Sequence, residues 1–172
     1  MILVTGATGN VGSSAVRELL AVGQDVRAFV RDPVKARSML GNDVELAVGD
    51  FADASSVATA ARGVEAMLIS TADGPRKAEF EMRLIDESVR AGVRRIVKVS
   101  TLLAEAGSPL PTFDWNGQGE DHLRSSGAGW VILQSCFYMT NLLMAAEPIR
   151  TQGILPAPAA DGKVAMVDPA DT

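Results

Sequence analysis

Two hydrophobic rhythms alternate along this chain. Short β-prone apolar runs fall at 1–5, 25–30, 43–48, 64–69, 93–99 and 129–134. Between them apolar positions recur at helical spacing, which predicts helices over 10–22, 33–40, 54–62, 76–91, 115–127 and 138–150. Regular alternation of strand and helix predicts an α/β fold of the Rossmann type: a doubly wound parallel sheet with helices on both faces and right-handed crossovers. Gly92 and Gly127 stand where a helix must stop before the next strand. Residues 104–112, with Gly107, Pro109 and Pro111, read as a loop after the fifth strand. Ligands of such sheets bind at the carboxyl ends of the strands, so this loop is expected to border a site. Past residue 150, Gly153–Pro158 and Asp161-Gly162 interrupt regular structure, and Val167–Thr172 reads as the opening of another helix.

The first strand carries the strongest chemical signal. Ile2-Leu3-Val4 runs into Gly6, Gly9 and Gly12, and Val11, Ala15, Val16, Leu19 and Leu20 then follow at helical spacing up to a stop at Gly23. Val26–Val30 completes a β-α-β unit of about thirty residues. A glycine triplet alone also marks ordinary turns; placed between a strand and a helix it reads as a phosphate cradle. Gly6 permits the sharp turn, Gly9 lets backbone amides approach a pyrophosphate, and Gly12 lets the helix pack closely on the sheet. Thr8, Asn10 and Val11 complete the candidate cradle. Residues 1–150 are thus expected to form a dinucleotide-binding domain. Residues 151–172 are expected to begin a C-terminal substrate-pocket region that is truncated here.

Composition narrows the partners. With 172 residues, 47% of them hydrophobic and 22% charged, the chain suits one domain with a proper core. A formal charge of −5 argues against a nucleic-acid backbone or an anionic membrane as partner. Arg27, Arg31, Lys35 and Arg37 nevertheless form a local basic cluster able to receive a small anion. One cysteine, Cys136, forms no intramolecular disulfide and fits a reducing compartment, and no apolar run reaches membrane-spanning length, so a cytoplasmic location is expected. A single histidine and cysteine cannot supply a zinc set, so no metal site is expected.

Taken with the glycine turn, several later runs resemble those of the NmrA-like, atypical short-chain dehydrogenase/reductase family. They are Val30-Arg-Asp-Pro-Val-Lys-Ala36, Gly49-Asp-Phe51, Gly63–Ser70, Val97-Lys-Val-Ser100 and Glu120–Asn141. That family includes NAD(P)H-dependent quinone-reductase-like enzymes and NADP-sensing regulators. The resemblance implies an NAD(P)-binding Rossmann domain and a longer chain, whose C-terminal part closes a substrate pocket.

The cofactor contacts follow the strand ends. Arg31 comes first after the second strand, where its guanidinium could pair with a 2′-phosphate and stack on adenine, with Lys35 adding charge. The family implies the same role for that arginine, so NADP(H) is expected in preference to NAD(H). The alternative is a solvated arginine beside Asp32 capping the next helix. Asp50 and Phe51 follow the third strand, where the family places adenine contacts; a plain turn before a helix capped at Asp53 is the alternative. Ser70, Thr71 and Ala72 are small enough to let backbone run beside the pyrophosphate and ribose, and could equally be an ordinary strand end.

Catalytic machinery is harder to find. Standard members of the superfamily use a serine at the end of the fifth strand, then a tyrosine and a lysine on the following helix. Ser100 stands in the serine's place, but the tyrosine and lysine positions fall on Phe113 and Gly117. Ser100 and Tyr138 are the candidate catalytic residues, with Thr101, Asn116 and His122 as further donors. Phe113, Trp115, Phe137 and Tyr138 are expected to shape the pocket, Tyr138 more as wall than as acid, and Cys136 to pack as a small apolar residue. The expected activity is hydride transfer from NADPH to a small quinone-like or carbonyl acceptor without the usual dyad. The alternative is a non-catalytic NADP sensor that signals to a regulatory protein partner. A homodimer is compatible with either.

Overall fold

β1 (Ile2–Val4) lies in the interior of a six-stranded parallel sheet, flanked by β2 (Val26–Val30) and β4 (Ala66–Ile69). β3 (Glu45–Val48), β5 (Arg95–Thr101) and β6 (Gly129–Ser135) complete the order β3-β2-β1-β4-β5-β6. The chain reverses its winding between β1 and β4, which opens a crevice at their carboxyl ends. The computed structural model describes residues 1–155 and 162–172. Part of the 153–162 interruption read from the sequence therefore lies outside the described residues.

Alternate residues of the strands feed two cores. Leu3, Phe29, Met67, Ile69 and Ile96 face one side, under α3 (Ala54–Ala61), α4 (Lys77–Arg90) and α5 (Pro111–Ser125). Val4, Ala28 and Val30 face the other, under α1 (Asn10–Ala21) and α2 (Pro33–Leu40). Cover on the second side is uneven. In register, Val4 stands beside Leu68, Leu68 beside Val97 and Val97 beside Val131, and Val131 is half exposed.

Three expected boundaries shift. α5 begins at Pro111, whose missing N–H and fixed φ suit a first helical turn, so the loop after β5 ends at Leu110 instead of Thr112. The single helix expected over 138–150 is a 3-10 helix, Met139–Ala145, followed by α6 (Ala146–Gln152). Pro148 explains the break: its ring would clash with the carbonyl four residues back in a continuous α-helix, so it is tolerated only in a first turn. The expected domain boundary at residue 150 thus falls inside α6. Finally, β7 (Phe137–Tyr138) pairs with β8 (Met166–Val167), and a 3-10 turn at Pro169–Asp171 follows, capped by Asp168. Among the described residues no helix is long and apolar enough to cross a membrane.

Candidate functional site

The glycine turn is stitched across the winding reversal. Buried Thr5, just past β1, accepts the Ser70 amide at 3.0 Å through Oγ1, and that oxygen stands 3.2 Å from the Ser70 carbonyl. Gly6 then takes φ +59°, and a Cβ there would overlap the Ser70 carbonyl group. The Gly9 amide donates to Gly6 O at 2.8 Å, which closes the turn. Gly9 is the N-cap of α1, with no side-chain cap and no acidic residue in the first turn. The amides of Asn10, Val11 and Gly12 therefore present the positive end of the helix to any anion in the crevice.

The basic cluster divides into two kinds. Arg27 binds Glu45 at 2.6 Å and the carbonyls of Ala60 and Arg62, while Arg37 holds the carbonyls of Gly41, Asn42 and Val44. Both are structural, which corrects their reading as anion receptors. Arg31 and Lys35 are exposed, and among the described residues their cationic groups hold no protein partner. Asp32 caps α2, accepting from Val34 N at 2.9 Å and Lys35 N at 3.0 Å, so its carboxylate is engaged beside Arg31. Across β2, Asp50 Oδ1 accepts from Ala52 N at 2.7 Å, and Phe51 packs between Phe29 and Phe80 at centroid distances of 5.6 and 6.0 Å. Asp53 caps α3, as the plain-turn alternative requires.

A cleft of about 550 Å³ opens at the carboxyl ends of β4, β5 and β6. Val11 joins it to the glycine turn, and Ser70, Thr71, Ser100, Thr101, Phe113, Asn116, Cys136, Phe137 and Tyr138 line it. Trp115 is not among its lining residues. His122 sits elsewhere, paired with Asp86 at 2.7 Å between α5 and α4. Gly117, in the position of the missing lysine, is packed against the loop after β5: a Cβ would stand 2.7 Å from Glu105 Cα. Asp114 pins the same loop by accepting from Gln118 and from Gly107 N, and these bonds hold its carboxyl below the usual range. The Tyr138 hydroxyl is buried and, among the described residues, unpartnered.

Beneath the cleft lies a polar network that sequence reasoning missed. Ile96, Lys98 and Ser100 point to the same face of β5, towards α4 and α5. Lys98 is fully buried, with Nζ 3.1 Å from Glu81 Oε2 and donating to Asn116 Oδ1 at 3.1 Å. Burial, and then the charge of Lys77, push the Lys98 ammonium below the ordinary lysine range, against the pull of Glu81. Lys77 lies 3.3 Å from both Glu81 and Asp73 and donates to the Thr71 carbonyl and hydroxyl at 3.1 Å. Buried Glu120 accepts from the Ser100 hydroxyl, from Gln134 and from Arg124. Ser100 thus spends its only hydrogen inward and offers the cleft an acceptor. The available signal was Lys98 itself, a charge inside a strand that reads as buried.

The family model for NAD(P)H-binding proteins matches residues 6–147. The chain belongs to the NAD(P)H-binding family. It is 34% identical over 171 residues to the NAD(P)H azoreductase of Xenophilus azovorans, covering 99% of this chain and 60% of that one. It is 31% identical to quinone oxidoreductase 2 of Escherichia coli, with the same coverage. The crystal structure of the Escherichia coli NADPH-dependent quinone oxidoreductase complexed with NADPH superposes with a TM-score of 0.88 at 32% identity, over 99% of this chain and 61% of that one. The chain thus spans about 60% of the length of the curated relatives it matches.

The residues present fit a dinucleotide. Side chains are absent where Gly6 and Gly12 meet neighbouring backbone, the first-turn amides of α1 lack caps, and past β2 stand two cations that hold no partner among the described residues. The amides of Asn10, Val11 and Gly12 would hold the diphosphate, and the strand ends at Ser70–Ala72 would flank the ribose.

Proposed function

We propose that this chain forms the cofactor-binding part of an NADPH-dependent oxidoreductase that reduces a small quinone-like, azo or carbonyl acceptor. The observation that carries the reading is the continuity of the glycine turn with the cleft through Val11. A dinucleotide anchored at the turn would reach its second half into a chamber lined by Phe113 and Phe137, suited to a planar, fairly apolar acceptor. Bound there, a dihydronicotinamide supplies the hydride; the chain's own residues bind, orient and exclude water. The names of the azoreductase and quinone oxidoreductase relatives support the same acceptor classes.

NADP(H) is preferred over NAD(H) in this reading because Asp32 is committed to capping while the exposed Arg31 guanidinium, without a partner among the described residues, could meet a 2′-phosphate. The proposed cofactor contacts are Gly6, Thr8, Gly9, Asn10, Val11, Gly12, Arg31, Lys35, Ser70, Thr71 and Ala72. Asp50 and Phe51 contribute at most the edge of the adenine pocket, since each already serves its own turn or core. The reading places the protein in the cytoplasm, with the acceptor as its small-molecule partner.

The test is a titration with NADPH and NADH by calorimetry, followed by loss of dihydronicotinamide absorbance with quinone, azo and aldehyde panels. Tight NADPH binding with turnover of any acceptor class is the expected result. NADPH binding with no turnover across all panels would instead favour a sensor, and absence of binding would remove the reading altogether.

A further inference from the structure

The geometry points to Thr71 and Lys77 as the pair that replaces the missing tyrosine and lysine, with Thr71 as the catalytic hydroxyl and Lys77 as its positioning residue and source of charge. This rests on the reductase reading above. Both residues line the cleft, and Lys77 is only 5% exposed. Its Nζ donates to Thr71 Oγ1 at 3.1 Å, and that hydroxyl donates onward to Glu81 Oε1 at 2.5 Å. At rest the single hydrogen of this hydroxyl points to Glu81, so it must turn towards the cleft to donate, and the Lys77 ammonium behind it is then placed to resupply the proton.

The local charge has the sign a reductase needs. Two buried lysines, Lys77 and Lys98, share one buried carboxylate, Glu81. Asp73 contacts Lys77 only from the rim, where half of its side chain meets solvent. Glu120 from α5 is occupied by Ser100, Gln134 and Arg124, and Lys163 adds a further cation to the cleft lining. The Lys77 ammonium beside Thr71 therefore stands in a poorly hydrated place, where it acts strongly on a nascent anion.

The step balances as follows. An acceptor carbonyl that has taken a hydride, with its two electrons, from the dihydronicotinamide leaves that ring oxidised and its own oxygen anionic. The Thr71 hydroxyl turns from Glu81 to that oxygen, its Oγ–H bond breaks as the proton passes across, and an Nζ–H bond of Lys77 breaks to restore the hydroxyl. Lys77, left as an amine, recovers its proton from solvent at the Asp73 rim.

Binding of para-nitrophenol, a non-reducible stand-in for the product oxyanion, reads this wall without turnover. The intact protein should take up the yellow phenolate and raise its acid dissociation constant about tenfold or more. Thr71→Val and Lys77→Met should each remove that rise and lower kcat, Lys77→Met with the KM for NADPH unchanged, and Thr71→Ser should restore both. NADPH titration of each variant separates this from the parent reading: if NADPH fails to bind the intact protein, the reductase reading falls first. If NADPH binds but the phenolate is not taken up, or its spectrum is the same in Lys77→Met, the pair is refuted. A Lys77→Met variant that loses NADPH affinity with its phenolate shift intact would assign the charge to the cofactor and equally overturn the proposal.

Discussion

Lys98 Nζ stands 3.1 Å from Glu81 Oε2, and neither side chain touches solvent. The pair joins β5 to α4 beneath the cleft, and Asn116 of α5 holds the lysine's other side. Because burial lowers the ammonium's affinity for its proton, the folded state binds fewer protons than the unfolded chain between the depressed value and 10.5. Stability from this group is fully present above 10.5 and is lost as pH falls through the folded-state value. Urea midpoints measured from neutral to alkaline pH should therefore rise more in the native protein than in Lys98→Met. Parallel curves would refute the assignment.

Gly119 provides the room for that pair. A Cβ there would overlap the Glu81 carboxylate and stand 2.9 Å from Lys98 Cε, and both partners are locked by their own bonds. Gly119→Ala should cost about 1–3 kcal/mol, as overpacking does. Chemical denaturation measures it, with Gly23→Ala as a poor control because its φ is +76° and strain would contribute.

The cradle depends on a second close approach. A Cβ on Gly12 would lie 2.7 Å from the Gly6 carbonyl carbon, so Gly12→Ala must push α1 off the turn. We expect NADPH affinity to fall at least about tenfold, the effect of displacing one or two charge-assisted amide bonds. Calorimetric titration with unchanged affinity would show that the amides do not hold the diphosphate.

Arg31→Ala separates the two coenzymes. Loss of a guanidinium–phosphate pair should weaken NADPH about ten- to a hundredfold, with NADH nearly unaffected. Raising ionic strength should weaken NADPH more than NADH in the native protein, because the exposed pair is screened. Equal losses for both coenzymes in the variant would leave Arg31 as an ordinary surface residue.

Asp32→Ala tests the local support of that arginine. Removing an N-cap that holds the amides of Val34 and Lys35 should cost about 1 kcal/mol of stability. A shift in thermal midpoint without a change in NADH affinity is the expected pattern.

Local signals were sufficient for the sheet and for the cradle. Short apolar runs and helical spacing specify β1–β6 and α1–α5, because the inner strands bury both faces and the helices one. Gly9 and Gly12 answer to Gly6 and Ala7 close by, and Gly6 to its own φ of +59°, while the Ser70 carbonyl that also bars a Cβ there is distant in sequence. The same reasoning stops where partners are distant in sequence. Nothing beside Lys98 in the chain announces that Glu81 and Asn116 will meet it, nor that Glu120 will claim the hydrogen of Ser100. Likewise Arg27 and Arg37 look as available as Arg31 until folding brings carbonyl oxygens from elsewhere within their reach. The φ of a turn is a local need and is therefore written in neighbouring residues; the satisfaction of buried charge is a property of packed surfaces, and only the tertiary structure decides it.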